Sequence, residues 1–196
     1  MARPQAFDRD QALSAAMRVF WQRGYTASTI QQLLQDMGIN RGSLYASFGG
    51  KRSLFQQAMA FYDERLMAHL GAMLTRARDP VDAIRQVFEL SLLNMPAPQR
   101  QWGCLLVNTV NELAPLEQSL AAEARLRLDR MQQAFAGAVA RAREKGRVSD
   151  GVTDAQAAHL LMTTMTGLRV QAREGASTEA LRQGIDPLLH LLFKEP

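Results

Sequence analysis

The stretch that most constrains this chain is Thr29 to Phe48, TIQQLLQDMGINRGSLYASF. Ile30, Leu33, Leu34 and Met37 fall at the spacing of one helix face. Thr29 and Gln32 have the types and spacing of a capping box, and Ser28 with Gln31 offers the same device one residue earlier. Gly38 permits a sharp backbone turn, Ile39 is an apolar plug for it, and Asn40 is a good N-cap for a second short helix. In that second helix Leu44 and Phe48 stand four residues apart and should face inward. Two short helices joined by a tight turn form a unit that fits the major groove of DNA.

The outer face of the second helix is then Arg41, Gly42, Ser43, Tyr45, Ala46 and Ser47. Small side chains let the helix backbone approach base edges, and Arg41 can donate two hydrogen bonds to a guanine edge. Tyr45 can reach a phosphate or a thymine methyl. Lys51 should lie near the start of the next helix, where backbone N–H groups and the dipole already favour a phosphate. Ahead of this unit, a first helix should begin near Asp8, with Asp8 and Gln11 as a capping box and Phe7 stapled onto Ala12. Its face is Leu13, Ala16, Met17, Phe20 and Trp21, and Gly24 stops it. Charge is placed accordingly. Residues 1–52 carry seven basic side chains (Arg3, Arg9, Arg18, Arg23, Arg41, Lys51, Arg52) against three acidic, while residues 53–196 carry sixteen of each, so the whole net charge of +4 sits beside the helix-turn-helix.

The remainder reads as helix throughout, with no convincing strand. The expected helices are Arg52 to Leu74, Val81 to Asn94, Gly103 to Leu113, Leu116 to Lys145, Thr153 or Asp154 to Glu174, and Thr178 to Phe193. Met95 to Trp102 is expected as a loop because two prolines fall within three residues. The fold class is therefore all-α, about nine helices, with a helix-turn-helix domain over 1–52 and a helical domain over 53–196. No G-x-S-x-G, Walker loop, dinucleotide fingerprint or H-E-x-x-H occurs, which argues against an enzyme. His69, His159 and His190 stand on separate helices without partners at ligand spacing, so no metal or cofactor is expected. One cysteine, no apolar run of membrane-spanning length and no apolar leader segment point to a cytoplasmic, nucleoid-associated protein without membrane contact. Cys104, if in the first turn of its helix and near Arg100, could be a reactive thiol sensing electrophiles or oxidants, but a lone cysteine is more often a small buried hydrophobe, and that is the stronger reading.

From Phe7 to Leu54 the sequence resembles the DNA-binding domain of TetR-family transcriptional regulators. The matching residues are Ala15-Ala16, Phe20, Gly24-Tyr25, Thr29-Ile30, Gly38-Ile39, Gly42-Ser43-Leu44-Tyr45, Phe48, Lys51 and Leu54. It departs from the family at Ala46 and Ser47, where relatives carry an aromatic or histidine, and at Gly49-Gly50, where Pro-Ser is usual. The resemblance implies DNA contacts from Thr29, Gln31, Arg41, Gly42, Ser43, Tyr45, Ser47 and Lys51. Leu160 to Ser177 is similar to the penultimate helix of many members. By resemblance it and the last helix pair with a two-fold mate, through Ala157, Leu160, Leu161, Thr164, Leu168, Leu181, Ile185, Leu188, Leu189 and Leu192. The family's effector cavity would here be lined by Phe61, Phe88, Leu92, Trp102, Cys104, Asn108, Met131 and Met165. The expected protein is a ligand-responsive repressor, a homodimer on a palindromic double-stranded operator, released by a small molecule. The alternatives are a Cys104-based sensor and a nucleoid-type DNA binder without ligand control.

Overall fold

Capping chemistry sets where the first helices begin. The computed structural model describes residues 7–194; Arg3, counted in the basic segment, and the start of the expected first domain lie outside them. The Asp8 carboxylate accepts the N–H groups of Asp10 and Gln11 and opens α1 (Arg9–Arg23). Phe7 lies against the Phe48 ring, 6.3 Å between centroids. The Thr29 box is the one adopted at α2 (Ile30–Met37): Gln32 N–H donates to Thr29 Oγ1 at 3.2 Å, and Thr29 N–H to Gln32 Oε1 at 3.1 Å. Ser28 is buried instead, its hydroxyl donating to the Gly24 carbonyl at 2.6 Å. Gly38 takes φ +65°, and Ile39 N–H reaches back to the Leu34 carbonyl, which turns the chain into α3 (Arg41–Phe48) under the Asn40 cap.

Helix α4 (Lys51–Leu66) starts one residue before expectation and runs on through a π-helical turn (Met67–Gly71) into α5 (Ala72–Arg76). Asp79 and Pro80 open α6 (Pro80–Phe88), which also ends in a π turn, Glu89–Leu93. The expected proline loop holds one short helical turn, α7 (Ala97–Arg100), because a proline is pre-organised for a helix start. Helix α8 (Leu105–Leu113) begins two residues later than expected, since Gly103 adopts φ +71°. Cys104 therefore precedes the helix and is buried rather than lying in its first turn. Then follow α9 (Gln118–Glu144), α10 (Asp154–Arg173) and α11 (Thr178–Leu192). Among the described residues the architecture is all-α, with an isolated antiparallel bridge between Val148 and Phe193. No described helix is long and apolar enough to cross a membrane.

The chain divides into two compact units, and not at residue 52. The first comprises the chain to Arg65 together with Leu105–Arg125. Aromatic packing holds α4 in it: Phe20 meets Phe55 edge-on at 4.8 Å, and Trp21 meets Tyr62 at 4.9 Å. Residues 105–125 join it through side chains that spacing could not reveal, described below. The second unit comprises Leu66–Cys104 and Leu126–Pro196. Its core is built on Ile84, Phe88, Leu92, Phe135, Leu161 and Leu181, all fully buried. Burying each such side chain contributes about 1.5–3 kcal/mol.

Candidate nucleic-acid interface

Within the first unit, α3 is seated by Leu44 and Phe48, which are 0% and 2% exposed. That anchoring leaves Arg41, Gly42, Tyr45 and Ala46 exposed and Ser43 and Ser47 half-buried. Thr29 and Gln31, at the start of α2, are exposed as well. Of the eight residues expected at DNA, five are exposed (Thr29, Gln31, Arg41, Gly42 and Tyr45), Ser43, Ser47 and Lys51 are half-buried, and none is buried. The Thr29 hydroxyl accepts the Gln32 N–H, so its own proton remains available to an acceptor outside. Tyr45 is 53% exposed, and a Cβ at Gly50 would lie 3.3 Å from its ring, so Gly50 gives the tyrosine room.

Lys51 is placed differently from a free phosphate ligand. Its ammonium lies 4.6 Å from the centroid of the Tyr25 ring and donates to the Thr26 carbonyl at 3.4 Å. Burial pulls its pKa below the ordinary lysine value, against the Glu112 charge, which pushes it up. Burial, with Glu117 nearby, raises the Tyr25 phenol. The basic segment is partly neutralised in three dimensions. Arg52 pairs with Glu117 at 2.6 Å and with the Ser119 hydroxyl at 2.6 Å, and the bond to Glu117 holds its guanidinium above the usual value. Arg9 lies over the Phe48 ring at 5.1 Å and donates to Gln57.

The residue that sequence reasoning missed is Glu112 on α8. Its Oε2 accepts the Tyr25 N–H at 2.9 Å and its Oε1 the Thr26 N–H at 2.7 Å. Nothing in the spacing of LLVNTVNEL points to the turn after α1; the one signal is a lone acid near the end of an apolar helix.

In the second unit two expectations change. Of the ten interface candidates, Ala157, Leu161, Leu168, Leu181, Ile185, Leu189 and Leu192 are buried against their own chain. Each belongs to a helix stripe that periodicity marks as buried without saying against what. Thr164 and Leu188 are half-buried, and Leu160 is 43% exposed. Of the cavity candidates, Phe61 and Asn108 belong to the first unit and the other six to the second. Phe88 and Leu92 are fully buried core, with Met131 and Met165 packed in the same cluster. A cleft of about 270 Å³ in the second unit is lined instead by residues such as Asp79, Arg85, Arg147, His190 and Lys194. Its cations are already paired: Arg85 with Asp186, Arg147 with Asp79 and Lys194 with Asp150, at 3.0, 3.1 and 3.0 Å. Among the described residues no cluster of acids, histidines and cysteine is arranged to hold a metal.

Both parts of the chain match known protein families. Residues 12–58 match the family model of bacterial regulatory proteins of the tetR family, and residues 80–187 match the tetracyclin repressor-like C-terminal domain. The chain is 29% identical to the HTH-type transcriptional repressor ComR of Escherichia coli, covering 92% of this chain and 87% of ComR. It is 30% identical to the HTH-type transcriptional regulator YezE of Bacillus subtilis, covering 98% of this chain and all (100%) of YezE. A cysteine-substituted form of the TetR-family regulator CifR, solved with a 26-base-pair double-stranded operator, superposes with a TM-score of 0.87 at 27% identity, over 97% of this chain and 100% of that one.

Proposed function

This chain belongs to the TetR family of bacterial regulatory proteins, a transcriptional regulator and not an enzyme, and from that premise we propose that it is a ligand-responsive repressor acting as a homodimer on a palindromic operator. The observation that carries the reading is the exposed, small and singly charged face of α3, from Arg41 to Ser47, held rigid by a buried Leu44 and Phe48. One such helix reads only a few base pairs, so specificity calls for two half-sites and a two-fold mate. The mate's surface is on the outward faces of α10 and α11. Leu160 and Val170 on α10 and Leu191 on α11 are exposed apolar side chains there, beside the half-buried Thr164 and Leu188. ComR is named a repressor and CifR was solved on operator DNA, which supports the same role here.

An effector bound in the helical body would shift the population between two spacings of the recognition helices. A separation near 34–36 Å fits successive major grooves, so departure from about that value releases the DNA. The test is a selection of bound sequences from random oligonucleotides, followed by operator affinity with and without candidate effectors. An enriched palindrome, and an effector that weakens binding to it, support the reading. No sequence preference together with a steep salt dependence would make the chain a nucleoid-type binder instead.

A further inference from the structure

We propose that Glu112 is a positioning residue for DNA reading, its carboxylate fixing the turn between α1 and α2 that leads into Thr29 and against which the Lys51 ammonium packs. The proposal rests on the DNA-binding reading above.

Glu112 lies one residue before the end of α8, and the turn it holds lies 87 and 86 positions earlier in the chain. The carboxylate divides its two oxygens between successive backbone N–H groups, those of Tyr25 and Thr26. Two charge-assisted bonds from one rigid fork set both the place and the orientation of that dipeptide. Gly24 makes the approach feasible: a Cβ there would stand 2.4 Å from Glu112 Oε2, and its φ of +82° suits glycine. The far side of the turn is pinned by the Ser28 hydroxyl on the Gly24 carbonyl, directly before the Thr29 cap of α2.

The same dipeptide also contacts the Lys51 side chain from α4. The Tyr25 ring packs 4.9 Å from Phe55 and supports the Lys51 ammonium, which also donates to the Thr26 carbonyl. Displacing residues 25 and 26 would therefore move the start of α2 and the Lys51 ammonium together. Charge and geometry make opposite demands. Removing a negative charge close to a lysine strengthens attraction to any phosphate backbone. Loosening the turn weakens only binding that needs the residues in register.

The experiment compares Glu112→Gln and Glu112→Asp in the full chain, on the selected operator and on random DNA, below the melting temperature of each variant. Glutamine offers one acceptor oxygen and turns an NH2 towards a second N–H; aspartate keeps the charge but loses one methylene of reach. The positioning role predicts that both variants lose about tenfold on the operator. Random-DNA affinity stays unchanged in the aspartate variant and rises or stays in the glutamine variant. Amide hydrogen exchange at Tyr25 and Thr26 accelerates in both. Operator affinity equal to wild type in both variants overturns the proposal, as does a glutamine variant that tightens on operator and random DNA alike. A parallel loss on both DNAs, with a lowered melting temperature, would make Glu112 a general stability residue and also overturn it. A wild-type chain without sequence preference overturns the regulator reading itself, a result visible before either variant is made.

Discussion

On the proposed function, Arg41 is the residue on which base recognition should most depend. It is the cation on an otherwise small or polar α3 face, exposed and in the first turn of the helix. Arg41→Ala should relax specificity at one base position and cost about 1–3 kcal/mol on the operator, measured by repeating the sequence selection with the variant. Lys51→Met should act differently. It should weaken operator and random DNA together and reduce the slope of log affinity against log salt by about one. A slope equal to wild type would mean that the lysine serves only Tyr25 and Thr26. The Arg41 side of this contrast was legible in the sequence, because a cap and two inward apolar residues decide which way a short helix faces. The packing of Lys51 on Tyr25 was not, since those side chains meet only after α1, α2 and α4 have closed on one another.

At the scale of the helix, the caps do most of the specifying. Thr29→Ala removes one arm of the capping box and should cost about 1 kcal/mol of stability, read from denaturant midpoints. Asp79 caps α6 and gives a pH-dependent case. Burial pushes its carboxyl up, but hydrogen bonds from the Asp82 and Val81 N–H groups and the Arg147 charge outweigh that and hold it below the usual value. A depressed folded pKa contributes stability that is complete above the unfolded value, about 3.9, and lost as pH falls through the folded one. Asp79→Ala should therefore be destabilised by about 1 kcal/mol at neutral pH. The gap to wild type should close below about pH 4 in parallel urea titrations. Because the pair with Arg147 is partly exposed, most of this belongs to the cap rather than to the ion pair. Helix ends that rest on such local pairs were readable. The π turns after α4 and α6 were not, since no residue type marks where a helix takes up an extra residue.

At the scale of the whole molecule, two questions could only be answered in three dimensions: which residues form the reading unit, and which apolar residues remain for a partner. The net positive charge of residues 1–52 describes a chain segment. The folded unit also contains Glu112, Glu117 and Glu123, which bond to Tyr25 and Thr26, to Arg52 and to Gln56. The stripe on α10 and α11 reads as one apolar surface, and the fold divides it into seven core residues and a short exposed set. Leu160→Asp with Leu191→Asp should leave the fold intact and shift sedimentation towards a monomer, with operator affinity falling to that of a single half-site. A double variant that sediments and binds like wild type would place the two-fold contact elsewhere.

The sequence by itself determined the all-helical class, the helix-turn-helix and the face it presents. The physical reason is that caps, apolar stripes and turn glycines act within about four residues of one another along the chain. Only the tertiary structure decided that Leu105–Arg125 packs with the reading unit, that Glu112 holds the turn after α1, and that most of the α10–α11 stripe is core. Those are contacts between residues tens of positions apart. A period of 3.6 shows that a face is covered, but the partner that covers it is chosen by packing.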